Sequence, residues 1–351
     1  MIFGATHLIE DRKLLAELRQ HYPQAHLLGC STAGEIEGTH VLDNSLVITA
    51  VRFEHTEIRR VSKQISGAQD SYRAGRRLAG ELSQNGLVHV FALSDGLGVN
   101  GSELVKGITE NLPERIRVTG GLAADADRFQ RTLVLDGDEP REGTVAAIAF
   151  YSDRLQTGCA SLGGWDPFGP ERLITRSRGN VLYELGGQSA LDLYEKYLGE
   201  HAHGLPATGL LFPLSLRTGD EEPGVVRTIL SVNREERSLT FAGDVPVGSY
   251  ARLMKANFDR LIDGAADAAR ATCNSFAGSR SPQLAVLISC VGRKLILKQR
   301  IEEEVEGVRD ILGDGCALSG FYSYGEISPF TTGAKCELHN QTMTITAFSE
   351  N

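Results

Sequence analysis

A chain of 351 residues, 41% hydrophobic and 23% charged, exceeds one ordinary domain and has the composition of a globular protein with two cores. A formal net charge of −9, with no dominant basic stripe, excludes a nucleic-acid partner. No apolar run approaches the ~18 residues of a membrane span, and Met1-Ile2-Phe3-Gly4 has neither the basic nor the apolar region of a secretory leader, so no membrane insertion and a cytoplasmic location are expected.

The first motif in chain order is Leu28-Gly-Cys-Ser-Thr-Ala-Gly-Glu-Ile36, an apolar lead into a tight glycine turn. A helical pattern over 68–82, with Tyr72, Leu78 and Leu82 apolar, precedes a buried strand over Leu87–Leu93 that ends at Ser94-Asp95-Gly96. A second helix carries Leu104, Ile108 and Leu112, then Gly120-Gly121-Leu-Ala-Ala-Asp125 leads to a strand over Val145–Phe150. The second half repeats this order. Phe258–Cys273 has one apolar stripe, Leu284–Cys290 reads as a buried strand, and Ile301–Leu312 is amphipathic. Gly320-Phe-Tyr-Ser-Tyr-Gly-Glu326 then leads to a strand over Met343–Phe348. Gly158-Cys159 to Gly163 resembles Gly29-Cys30 to Gly34 and is matched with it as the opening of the second half.

The ordered correspondences predict an internal duplication, with domains 1–153 and 154–351 and no flexible linker between them. An insertion is expected over Gln188–Asn233: a helix at Ala190–Leu198 capped by Gly199, and strands at Leu210–Phe212 and Val225–Leu230 around a turn over 218–223. The expected fold is α/β with α+β character, two related halves with mixed sheets and packed helices. A Gly-rich nucleotide loop is missing.

The glycine turns admit two readings. Backbone N–H groups at Gly29–Glu35, with Ser31 and Thr32, can cradle an anion, or Gly34 simply supplies a positive φ. Asp95 and Arg293, both at strand ends, can pair with the amine and carboxylate of an amino acid, or be a turn aspartate and a surface arginine. Phe321, Tyr322 and Tyr324 are pocket walls or core. The six cysteines are scattered without a CxxC pair and read as reduced, buried thiols; Cys30 and Cys290 are nucleophile candidates only if a base is placed beside them. His339 is a candidate haem ligand or an ordinary structural donor. No compact zinc spacing occurs.

The Leu28–Ile36 motif is similar to the FIST_N signature. Gly320–Ile327 with Leu338-His-Asn-Gln-Thr-Met-Thr344, Ser289-Cys-Val-Gly-Arg293 and Asp244-Val-Pro-Val-Gly248 resemble FIST_C motifs. The chain departs from the family at its start, where Met1–Ala5 leaves room only for a short or absent first strand. The resemblance implies a sensory module of signal transduction without established catalysis. It would bind a small molecule such as an amino acid and report to a histidine kinase or chemoreceptor. The family alternative is a haem-binding nitric oxide sensor, and an unrelated one is a Cys-dependent hydrolase. The expected ligand site gathers Cys30, Ser31, Thr32, Gly34, Glu35, Ser94, Asp95, Gly120 and Gly121 with Cys290, Arg293, Gly320, Tyr322, Tyr324, Gly325, Glu326 and Asn340. The pocket is expected between the halves, beside the turns.

Overall fold

A computed structural model of the chain describes residues 1–218, 224–276, 281–330 and 333–351. Strand β1 (Ile2–Gly4) runs parallel to β2 (Gly29–Ser31) and antiparallel to β5 (Leu46–Ile48). Helices α1 (Thr6–Ile9) and α2 (Arg12–His21) join β1 to β2, and a hairpin of β3 (Glu35–Glu37) and β4 (His40–Leu42) joins β2 to β5.

The same unit recurs twice. Edge strand β6 (Glu57–Gln64) and helix α3 (Ser71–Ala79) lead into β7 (Leu87–Ser94). The unit continues with α4 (Gly101–Thr109), β8 (Arg117–Leu122), a hairpin of β9 (Val134–Asp136) and β10 (Glu139–Arg141), and β11 (Thr144–Tyr151). Strand β7 is parallel to β8 and antiparallel to β11. The last copy opens on edge strand β12 (Leu155–Leu162), which an insertion separates from the rest. After the insertion come α6 (Phe258–Cys273), β21 (Leu284–Cys290), α7 (Val291–Leu297), α8 (Ile301–Leu312) and β22 (Ala317–Ser323). A hairpin of β23 (Gly325–Pro329) and β24 (Cys336–His339) leads to β25 (Met343–Glu350), with β21 again parallel to β22 and antiparallel to β25.

Each unit hands its hairpin to a neighbour. Strand β3 of the first unit pairs with β22 of the third, β23 of the third with β8 of the second, and β9 of the second with β2 of the first. The result is a closed ring of three sheets, ordered β10-β9-β2-β1-β5, β24-β23-β8-β7-β11-β6 and β4-β3-β22-β21-β25-β12.

Strand alternation divides the side chains. Phe3, Cys30, Phe91, Leu93, Ile148, Phe150, Val286, Ile288, Phe321 and Phe348 point to the ring interior and form one buried cluster. Their neighbours Val90, Ala92, Ala147, Ala149, Ala285 and Leu287 point outward under the helices. Helix α6 presents Ala265, Ala268 and Ala269 to this layer, and Val305, Val308 and Leu312 of α8 pack beside them.

The expected duplication is present between the second and third units, strand for strand, and the first unit is a third, shorter copy. The first strand exists, three residues long and buried. Gly158–Gly163 is not the counterpart of Gly29–Gly34. It runs along edge strand β12 against β25, the place that β6 holds in the second unit, while the counterpart of Gly29 in that unit is Gly120.

The insertion is larger than the expected Gln188–Asn233. It begins with the long strand β13 (Asp166–Arg178), followed by β14 (Val181–Leu185), β15 (Gln188–Ser189) and α5 (Ala190–Leu198). Strands β16 (Leu214–Arg217), β17 (Val225–Arg227), β18 (Ile229–Asn233), β19 (Ser238–Phe241) and β20 (Tyr250–Lys255) complete a separate sheet with its own core. β13 escapes a reading by apolar periodicity because most of its residues are exposed. Gly199 follows α5 at φ +57° as a cap. Leu210–Phe212 is not a strand, since a 3-10 turn covers Ala207–Leu211. Residues 219–223 of the expected turn lie outside the described residues.

Candidate functional site

The three glycine turns meet at one end of the ring and hydrogen-bond to one another. Ala33 N–H donates to the Tyr322 carbonyl and Tyr322 N–H to that of Gly34; Ala124 N–H donates to the Ser31 carbonyl and Tyr324 N–H to that of Leu122. Thr32 N–H is spent on the Gly4 carbonyl and Ala123 N–H on that of Ser94. These N–H groups are therefore not free to hold an anion. The first glycine of each turn is required by close packing, because a Cβ on Gly29, Gly120 or Gly320 would overlap the carbonyl of Ile2, Ala92 or Leu287 on the adjacent strand. Gly34 is at φ +132° and lies under the Lys294 ammonium.

The acids of the motif clasp the exchanged hairpins. Glu35 accepts from Thr32 Oγ1 and from Ser45 Oγ at 2.5 Å. Glu326, its counterpart after Gly325, accepts from Ser323 Oγ at 2.5 Å and from Thr342 N and Oγ1 at 3.2 and 2.9 Å. Burial pushes both carboxyls up, Glu326 to about 8, against the opposing pull of these donors. Asp95 takes the Leu97, Gly98 and Gly143 N–H groups and the Thr132 hydroxyl, so it organises a turn. Tyr324 donates to Asp125 and stacks on Phe129 with centroids 4.6 Å apart.

Arg293 is neither a surface group nor an open anchor. It is fully buried, bonded through Nε and Nη2 to Glu304 at 3.0 and 2.7 Å, and through Nη1 and Nη2 to the Gly163 and Leu261 carbonyls. Tyr322 OH and Ser289 Oγ donate to the other Glu304 oxygen. Asn340 spans the Tyr324 carbonyl and the Thr228 N–H. Ser31 Oγ accepts from Leu133 N–H, and Ser94 and Gly121 lie in strands, buried. Cys30 and Cys290 are fully buried, and desolvation, reinforced by Glu35 and Glu326 respectively, drives both thiols well above their usual range. That removes them as nucleophiles. The His339 ring is buried edge-on to Phe330, and its Nε2 lies 2.7 Å from the Ser328 carbonyl, so it does not fit as a haem ligand. The predicted site residues are thus largely brought together, but as an interlocked plug in which most polar groups bond to one another and Ser94 Oγ is buried without a partner.

A well of about 550 Å³ opens at the opposite end of the ring, where β1, β7 and β21 begin. Its wall draws on all three units: Leu28 and Ile48 from the first, Phe91, Ile148 and Phe150 from the second, Leu284 and Phe348 from the third. Phe3, Leu93, Ile288 and Phe321 belong to the same interior cluster and fill the ring on the side of the turns, with Phe3 and Phe321 4.6 Å apart. Tyr22, Ile48 and Val51 stand 40–48% exposed at the mouth, an apolar grouping that a water-facing surface rarely carries in one place. His26 and Arg52 supply polar tips on its lining. Sequence reasoning missed this site because its lining is spread from Met1 to Phe348; the one local signal is the apolar Ile48–Phe53 stretch at the end of β5.

The chain is thus a ring of duplicated α/β units, with the turns interlocked at one end and a hollow at the other. The FIST N domain family matches residues 1–188 and the FIST C domain family residues 190–329. The chain belongs to the FIST family, whose domains are sensory modules of signal transduction systems. It is 24% identical over 374 aligned residues to an uncharacterised protein of Methanocaldococcus jannaschii, covering 93% of this chain and 69% of that one. It is 24% identical to an uncharacterised protein of Mycobacterium tuberculosis, covering 94% and 85%. Among solved structures, cyanuric acid hydrolase from A. caulinodans aligns over 84% of this chain and 99% of its own at 9% identity, with a TM-score of 0.20. No described helix is long and apolar enough to cross a membrane.

Proposed function

We propose that this FIST protein senses a small molecule held in the apolar well at the strand-start end of the ring. One observation carries the reading: all three units line the well, so a bound molecule touches each of them and biases how they pack. Through the exchanged hairpins that bias reaches the outer surfaces, where a histidine kinase or chemoreceptor would read it. A free amino acid is a poor occupant. Its two charges would face leucine, isoleucine and phenylalanine side chains that cannot replace water. Haem stays as the second reading because His26, not His339, lies on this lining. There an iron centre would supply the nitric oxide site.

The test is a thermal-shift screen of the purified full chain against amino acids, apolar carboxylates and haemin. An apolar compound should raise the melting temperature. Ile148→Trp, which fills the well from the second unit, and Ile48→Trp, which narrows its mouth, should each abolish the shift. If no compound shifts the protein, or if shifts survive both substitutions, the well is not the sensing site.

A further inference from the structure

Resting on the well as the sensing site, we infer that its ligand class is a straight-chain fatty carboxylate, with the chain in the well and the carboxylate at Arg52. Three features of the lining lead there. The wall is almost wholly hydrocarbon, from Leu18, Leu27 and Leu28 through Phe91 and Ile148 to Phe348. No aspartate or glutamate lines it, although the chain carries 45 acidic residues against 36 basic ones. The fixed side-chain charge on the lining is Arg52, which is exposed and has no carboxylate partner among the described residues, whereas Arg19, Arg60, Arg77 and Arg131 are all paired; the Met1 ammonium, also on the lining, donates to the Thr49 carbonyl.

Arg52 sits on the segment joining β5 to β6, between Val51 and Phe53, which line the same well. An anion there would keep its head near water while its tail displaces solvent from the hollow, the arrangement that costs least for an amphiphile. A methylene occupies about the space of a water molecule, roughly 30 Å³, so 550 Å³ takes a chain of about a dozen carbons or more. Dispersed apolar contact without converging buried donors recognises chain length rather than shape. The planar guanidinium fork matches a carboxylate in two hydrogen bonds.

The experiment is isothermal titration of the delipidated full chain with octanoate, decanoate, dodecanoate and dodecan-1-ol, each below its aggregation threshold, with haemin alongside. Affinity should rise about threefold to fourfold for each added methylene and level off as the well fills. Dodecan-1-ol should bind roughly tenfold more weakly than dodecanoate, and Arg52→Gln should cost dodecanoate about tenfold while leaving the alcohol unchanged. Arg52 is exposed, so its replacement leaves folding intact. A flat chain-length series, or Arg52→Gln binding dodecanoate as the parent does, overturns the assignment. Haemin binding without any carboxylate binding overturns the ligand class and leaves the well as the sensing site. If no probe binds and Ile148→Trp changes nothing, both readings fall.

Discussion

Replacing Arg293 by methionine separates a structural arginine from a ligand-contacting one. The substitution keeps much of the side-chain volume and removes four hydrogen bonds: two charge-assisted ones to Glu304 Oε2, and one each to the carbonyls of Gly163 and Leu261. Glu304 is left fully buried with only Tyr322 OH and Ser289 Oγ as donors, at 2.8 and 3.1 Å. An uncompensated charge at such a site costs about 3–5 kcal/mol. The partner change Glu304→Leu should be similarly costly, and the double variant should recover most of the loss, because an apolar pair needs no compensating charge. Urea denaturation followed by far-UV circular dichroism, at fixed protein concentration, reads all three. A single Arg293→Met variant within about 0.5 kcal/mol of the parent would refute the buried-pair account. A ligand-contact role predicts that outcome together with a loss of binding.

Two further expectations concern the turns. Glu326 has its carboxyl raised to about 8 by burial, against an ordinary 4.5, so its contribution is favourable at low pH and is lost as pH rises from about 5 through 8. Glu326→Gln should therefore flatten the decline in stability over that window and be relatively most favourable at pH 8, a difference of a few kcal/mol across it in parallel urea titrations; an unchanged slope counts against a protonated Glu326. Gly120→Ala should cost about 3 kcal/mol or more, since φ is +145° and the new methyl meets the Ala92 carbonyl, while Gly137→Ala at φ +68° in open space should cost about 1 kcal/mol. Equal losses at both glycines would show that backbone conformation, not the close approach, sets the requirement.

The second and third units were legible in the sequence because their central strands are long and buried, and because their helices carry one apolar stripe each. Leu284–Cys290 has the expected limits residue for residue, and the apolar stripe from Phe258 to Cys273 lies on one helix. The first unit was not legible as a copy. Each of its strands is three residues long, too short to register a period. The exchange of hairpins was invisible for a different reason: nothing local in Glu35-Ile36-Glu37 states that its partner is Ser319–Phe321. The turn motifs were found, with both readings of them left open. Glycine next to small hydroxyl residues serves an anion cradle and a close strand crossing equally well, and only the neighbouring carbonyls distinguish the two. The well was hidden because no segment of the chain owns it.

The handing-on of hairpins has a bearing on how this protein can be cut and how it can move. Remove the first fifty residues and the third sheet loses its border at β22; stop the chain before β23 and the second sheet is left bare at β8. No third of the molecule owns a finished sheet, so no third is a spare part. Each sheet is bordered by a hairpin from another unit, and following those borders from unit to unit leads back to the start.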